Sequence, residues 1–585
     1  MISYQICPID PHAHLFEVNI TIQAPAPRQE LWLPSWIPGS YMVRDFCRNI
    51  IDLKAFDELE RPLSITQLDK QRWQIDSNAE SLQLRYSVYA WDMSVRSAHL
   101  DQTHGFFNGS SVFLAVAGKE LEPLELEILP PKEEANWQLA TTLSQIEGEE
   151  WQFGRFSAAN YDELIDHPVE MGTFTHGSFE ACGVRHDVIL TGRHRCHMPR
   201  LLDDLKAICE SQIRLFGEAP FERYLFMTQV LGNGFGGLEH RASTALHCSR
   251  KDLPLSMEMP VNKDYRTYLS LCSHEYFHSW NVKRIKPASF IPYALEAESY
   301  TRQLWAYEGI TSYYDDLMTL RANRVSNEQY LEMLSQTMTR VYRMPGRQLQ
   351  SLTDSSFNAW TKFYKQDENA ANAIVSYYTK GALFALYLDL TLRLETQGKY
   401  TLDNLMQKLW QAFGSQGIGT EDDSHRRLYE ELLGRDASAE FAFLDTTQEL
   451  PLAPLLAQFG IEMQLRSAQG AQDQGGGDVE GQKIGFGARY KAEALGLRIV
   501  SVTNGSAAHS AGLAAEDLLI AANGLQVGAQ FENELQQYEP GDSLELHFFR
   551  RDELMTGQLP INPAAIDTVS LKLTDPAKAK AWLTA

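Results

Sequence analysis

Along the first 170 or so residues, apolar and polar side chains alternate. His14-Leu15-Phe16-Glu17-Val18-Asn19-Ile20-Thr21-Ile22 and Leu82-Gln83-Leu84-Arg85-Tyr86-Ser87-Val88-Tyr89 both keep the period of two that marks a half-buried strand. Turn residues interrupt these runs at short intervals, which suits a β-sandwich-like domain over 1–172. The run Leu33-Pro34-Ser35-Trp36-Ile37-Pro38-Gly39-Ser40-Tyr41 is too rich in proline for a central strand and reads as a rigid loop. Over 173–466 the period lengthens to that of helices. Asn327 to Tyr342 stops at Pro345-Gly346, and Ala373 to Thr396 stops at Gly398. A helix is also predicted upstream of Tyr276. Leu269, Cys272 and Tyr276 form its buried stripe, while Leu271, His274, Glu275 and His278 line the adjacent face. Residues 467–480, with Gly470 and Gly475-Gly476-Gly477, read as a flexible linker. A compact module follows over 481–565, then a tail over 566–585. The predicted class is multidomain α+β.

Composition narrows the function. A chain of 585 residues is too long for one core. A net charge of -24 argues against nucleic acid, which needs a basic footprint. No apolar run approaches the ~18 residues of a membrane span. The start carries no basic-then-apolar leader, so a cytoplasmic location is expected. Seven cysteines without a CxxC pair suggest reduced thiols instead of a disulfide frame or thiolate metal site.

The chemistry concentrates at His274-Glu275-Tyr276-Phe277-His278. Histidines four apart on a helix share a face, so both rings can bind one metal ion, and the glutamate between them can act as general base towards a water. Zinc in hydrolytic sites takes three protein ligands and leaves one position open. Glu296, Glu298 and Glu308 compete for the third place. Glu298 has the shorter spacing but lies close behind Pro287 and Pro292, in what reads as a solvated loop. Glu308 lies in the helical run Leu304 to Tyr314 with Gly309 beside it, a context that permits close packing and favours Glu308. Upstream, Leu231-Gly232-Asn233-Gly234-Phe235-Gly236-Gly237-Leu238-Glu239-His240 holds four glycines in six residues without phosphate-loop spacing.

The stretches His274 to Pro287 and Leu304 to Tyr314, with Trp36 to Tyr41 and the C-terminal module, closely resemble the glycyl aminopeptidase family of zinc metallopeptidases. The likeness runs through nearly the whole chain. It implies a β domain, a thermolysin-like catalytic domain, one zinc ion held by His274, His278 and Glu308, and Glu275 as base. Gly236-Gly237-Leu238-Glu239-His240 resembles an element of aminopeptidase-N-like enzymes in which the edge strand holds substrate backbone and the glutamate pairs with the free α-amine. His240 departs from the asparagine usual there. Tyr378-Thr379-Lys380-Gly381 resembles an element whose tyrosine hydrogen-bonds the oxyanion, and the adjacent Tyr377 competes for that role.

Gly505 to Leu513 and Asp517 to Gly524 resemble protease-associated PDZ domains, which bind peptide C-termini by strand addition. Leu495-Gly496-Leu497 is the only candidate carboxylate loop, and a strand-turn glycine is the stronger reading of it. The resemblance implies an aminopeptidase acting on peptides with a free N-terminus, glycine or alanine first. An endopeptidase, or a PDZ scaffold with a degenerate peptidase domain, is the rival.

Overall fold

The computed structural model describes residues 2–132 and 136–583. Met1, residues 133–135 and the last two residues of the expected tail lie outside them. The architecture is multidomain α+β, with a β-rich N-terminal part and a helical middle. Among the described residues no helix is long and apolar enough to cross a membrane. All seven cysteines are free, and Cys209, Cys248 and Cys272 are buried.

The chain forms two compact units that do not follow the expected boundaries at 172 and 466. The first comprises 1–300, 322–324 and 407–421, and the second 301–321, 325–406 and 422–585.

In the first unit, the alternation of the N-terminal residues becomes strands Ile2–Asp10, Leu15–Gln23 and Ser81–Tyr89 of an eight-stranded sheet. The even-numbered residues Ile2, Tyr4, Ile6, Phe16, Val18, Ile20 and Ile22 point to the core, each at most 2% exposed. Two four-stranded sheets complete this β part, and Phe16 meets Phe107 of one of them edge-on. A five-stranded sheet follows. Its central strands Val184–Thr191, Arg223–Leu231 and Ser243–Ser249 are parallel, the first two joined across the helix Met198–Phe216, as a parallel pair requires. Gly236–Glu239 lies antiparallel at one edge.

The β part is bonded to what comes after it within this unit. Ala140 shares a core with Phe174, Ile189, Leu225 and Met227. Arg72 pairs with both oxygens of Glu296, and the Trp36 indole donates to the carbonyls of Ala294 and Ala297.

In the second unit, Asn327–Tyr342 is a helix with a capping box from Ser326 and Gln329. Ala373 to Thr396 is not continuous: helix Thr379–Glu395 begins only after a break at 374–378. Leu304 to Tyr314 also departs from a regular helix, because Trp305–Gly309 is a π-turn that runs into helix Ile310–Arg321.

The expected linker and tail both need correction. Gly475 and Gly476 lie so close to helix Asn327–Tyr342 that a Cβ on either would collide with Thr339 or Glu332. Gly476 N–H donates to Val569 O at 3.0 Å, and Asp473 is paired with Arg466. These glycines serve close approach instead of freedom. The tail is a strand, Ile566–Leu573, that pairs antiparallel with Ile461–Ser467 and brings Ile566 opposite Ser467. Helix Pro576–Leu583 then buries Trp582 completely against Tyr330, with its indole donating to Tyr313 Oη. Trp582→Ala is expected to cost about 3–5 kcal/mol, seen as a lower urea midpoint by far-ultraviolet circular dichroism. An unchanged midpoint would mean that the C-terminal helix contributes nothing to the unit.

Between the paired strands stands the module. Its strands Ala488–Glu493, Gly496–Val502, Leu518–Ala522, Ser543–Arg550 and Glu553–Pro560 enclose Leu497, Ile499, Leu519, Phe531 and Phe548. Gly496 pairs with Glu493 in the ladder, and a Cβ there would strike Leu519 O. The Gly496 backbone is therefore committed to the sheet, and Leu495-Gly496-Leu497 lies at a hairpin corner.

Candidate active site

The helix Lys263–Phe277 starts where Asn262 Oδ1 accepts from Tyr265 N–H at 2.9 Å. The predicted stripe is its buried face, with Leu269, Cys272 and Tyr276 each at most 1% exposed. Two polar anchors fix its last turns. Gln212 donates to Ser273 O at 2.9 Å, and the Tyr276 hydroxyl meets His186 Nε2 at 2.8 Å. His274, Glu275 and His278 leave this end together.

His278 is oriented by the turn that follows. Its Nδ1 lies 2.7 Å from Asn281 O. A carbonyl only accepts, so Nδ1 carries the hydrogen and the neutral ring presents a lone pair at Nε2. That Nε2 lies 3.1 Å from His274 Nε2. Two imidazole nitrogens converging in this way suit a shared cation. The turn reaches this shape through Val282 at φ 108°, a conformation costing a β-branched residue on the order of 1–3 kcal/mol.

The edge strand Gly236–Glu239 passes directly over Glu275, since a Cβ on Gly237 would overlap that carboxylate. Arg96 Nη2 donates to Gly237 O at 3.3 Å and steadies the strand. Glu239, Glu275 and His278 bring one ligand atom each within 4.8 Å of one another. Glu239 is 3% exposed, and its Oε1 has no hydrogen-bond partner among the described residues. His240, the departure from the resembled element, is 1% exposed and donates from Nδ1 to Asp166 at 3.1 Å. Burial opposes a charge on Asp166, but Lys283 and Arg241 outweigh it and hold the carboxyl well below the usual range. Burial lowers His240 in turn and keeps it neutral at pH 7. Nothing in the sequence linked Asp166 to His240, since the two are far apart in the chain.

Of the competing carboxylates, Glu296 is engaged by Arg72 and Glu298 is exposed. Glu308 belongs to the second unit. It is 1% exposed and lies on the π-turn, a distortion frequent at functional sites because the extra residue re-aims a side chain. Gly309 beside it rests on Gly381, and a Cβ on either would strike the other's backbone. This contact places the π-turn against the helix that opens at Tyr378. Tyr378 is half-buried, whereas Tyr377 is fully enclosed. Burial, then the Glu308 charge, pushes the Tyr378 phenol well above its ordinary value, so it remains a proton donor.

The model of the Peptidase M61 N-terminal domain matches residues 3–173, and that of M61 glycyl aminopeptidase matches 267–384. A solved structure from Idiomarina loihiensis, described as an aminopeptidase N family protein, is 47% identical over 100% of both chains with a TM-score of 0.98. The chain belongs to the M61 glycyl aminopeptidase family. This M61 chain is a metallopeptidase. An M1 zinc metallopeptidase from Deinococcus radiodurans, in a mutant form, shares 14% identity over 77% of this chain and 95% of its own, with a TM-score of 0.50. At that identity the likeness extends to the fold alone. No curated protein matches the M61 chain.

Proposed function

We propose that the chain is a zinc aminopeptidase that removes small N-terminal residues, glycine or alanine, from peptides. One zinc ion per chain would be held by His274, His278 and Glu308. Bound there, zinc supplies Lewis acidity to the scissile carbonyl and acidity to a water. The two converging Nε2 atoms suit this ion, and the buried Glu308 carboxylate is the donor type that completes a two-histidine set.

The remaining steps belong to the chain. Glu275 takes a proton from the attacking water and passes it to the leaving amine. Tyr378 donates a hydrogen bond to the oxygen that becomes negative. Gly236 and Gly237 offer an edge strand to the substrate backbone. The observation that carries the aminopeptidase reading is Glu239, buried, with Oε1 unpartnered, beside Glu275 and His278. A substrate α-ammonium would satisfy it with a charge-assisted hydrogen bond.

Such a bond contributes on the order of 1.5–3 kcal/mol, and loss of register over the reacting groups adds to the barrier. Glu239→Ala is therefore expected to lower kcat/KM on free-amine substrates by roughly 10 to 1,000-fold. N-acetylation should harm the wild type similarly and the variant far less. A wild type that cleaves acetylated and free substrates equally would replace this reading with an endopeptidase.

The module over 481–565 is read as PDZ-like. Its Val502 carbonyl accepts from Asn372, and its Asn504 N–H donates back to the Asn372 side chain, each at 2.8 Å. Asn372 precedes the break that carries Tyr378, which supports a steadying role for the module. A peptide C-terminus is not proposed as a ligand at 495–497.

A further inference from the structure

Loop 35–41 of the β part lies across Glu239. Gly39 has φ +91°, in the region that favours glycine, and a Cβ there would overlap both carboxylate oxygens of Glu239. The loop is not free to yield. Trp36 Nε1–H is shared between Ala294 O and Ala297 O, each at 2.9 Å, and Ser35 N–H donates to Leu295 O at 2.8 Å. Tyr41 stacks on Phe290 with centroids 5.9 Å apart. Trp36, Ile37, Ser40 and Tyr41 are each at most 2% exposed.

We infer that Gly39 is a positioning residue that sets the place of the Glu239 carboxylate, and that its loop is the end wall of the amine subsite. The inference rests on the reading of Glu239 as the amine's partner. Glu239 needs one oxygen bare for the ammonium, and any side chain at position 39 would displace it. A peptide continuing upstream of that ammonium would have to pass through main chain held by three backbone carbonyls. The β part would then enforce removal of a single residue, and Gly39 would be the position at which that restriction acts.

A double-mutant comparison tests this, with glycine and alanine p-nitroanilides, free and N-acetylated, as substrates. Gly39→Ala is expected to cut kcat/KM on the free-amine substrates by roughly 10 to 100-fold, with bound zinc retained. The Gly39→Ala/Glu239→Ala pair should then match Glu239→Ala alone, because the two changes remove one interaction. A mere loss of fold would instead multiply the two costs. Gly39→Ala with wild-type kinetics, or costs that multiply in the pair, would overturn the inference. If Gly39→Ala lowers the folded fraction, Trp36→Phe is read in its place. It keeps an aromatic ring but removes the indole N–H that the two carbonyls share, and the same non-additive loss is expected, with wild-type kinetics again overturning the inference. A Glu239→Ala enzyme as active as the wild type on free amines would reject the anchor itself, a result distinct from failure at Gly39.

Discussion

Glu275→Gln is expected to abolish turnover while bound zinc stays near one per chain. Glu275 lies in the last turn of its helix, 5% exposed, against Gly237 of the edge strand. Glutamine fills the same volume and keeps a hydrogen-bonding end, so the helix and the histidines should hold their places. It cannot take a proton. General acid–base contributions amount to about 10² to 10⁴-fold, and one residue here serves as base and then as acid, so the loss should lie at or beyond the upper end. Metal analysis beside kcat separates the outcomes. Zinc lost together with activity would make Glu275 a ligand or support, and activity retained would move the base elsewhere.

Glu308→Ala is expected to strip zinc, and Glu298→Ala to leave it bound. Removing a partner that merely orients a ligand costs about 10 to 100-fold in metal affinity, and removing a ligand itself should exceed that. Two imidazoles would remain, one of them fixed by Asn281 O. Competition with a chromogenic chelator gives the two affinities directly. Zinc retained in Glu308→Ala and lost in Glu298→Ala would transfer the third place to the exposed loop at 296–299 and remove the argument from the π-turn.

What could be read from the sequence was local. Alternation gave the inward face of Leu15–Gln23, and helical spacing gave the buried stripe at Leu269, Cys272 and Tyr276, because each pattern reports its own element's burial. The His274 to His278 signature was legible for the same reason: both rings sit on one helix face. What escaped were relations between distant segments. Nothing near Ile566 says that its partner is Ser467, since alternation fixes a face and not a neighbour. Gly475 and Gly476 carry the composition of a linker and serve the opposite purpose, because small size permits close packing as readily as freedom. Gly39 fell within the run read as a rigid loop, and its place over Glu239 depends on Trp36 reaching carbonyls near residue 295. The π-turn at Glu308 was hidden because its residues suit a helix equally well.

The chain enters the module after Ser467 and comes back at Ile566 on facing rungs of one ladder. That arrangement makes 468–565 an exchangeable graft. The ends are already held together, so replacing the insert by a segment twice or half as long alters the closure entropy by only about 0.6 kcal/mol. Recombination could swap such a cassette with both strands of the ladder kept in register, at the loss of the contacts that Gly475, Gly476 and Val502 make outside it. Material added beyond Trp582 would meet a different constraint, because the closing helix is built into the interior of its unit. Exchange of an accessory domain is therefore easiest at the internal junction.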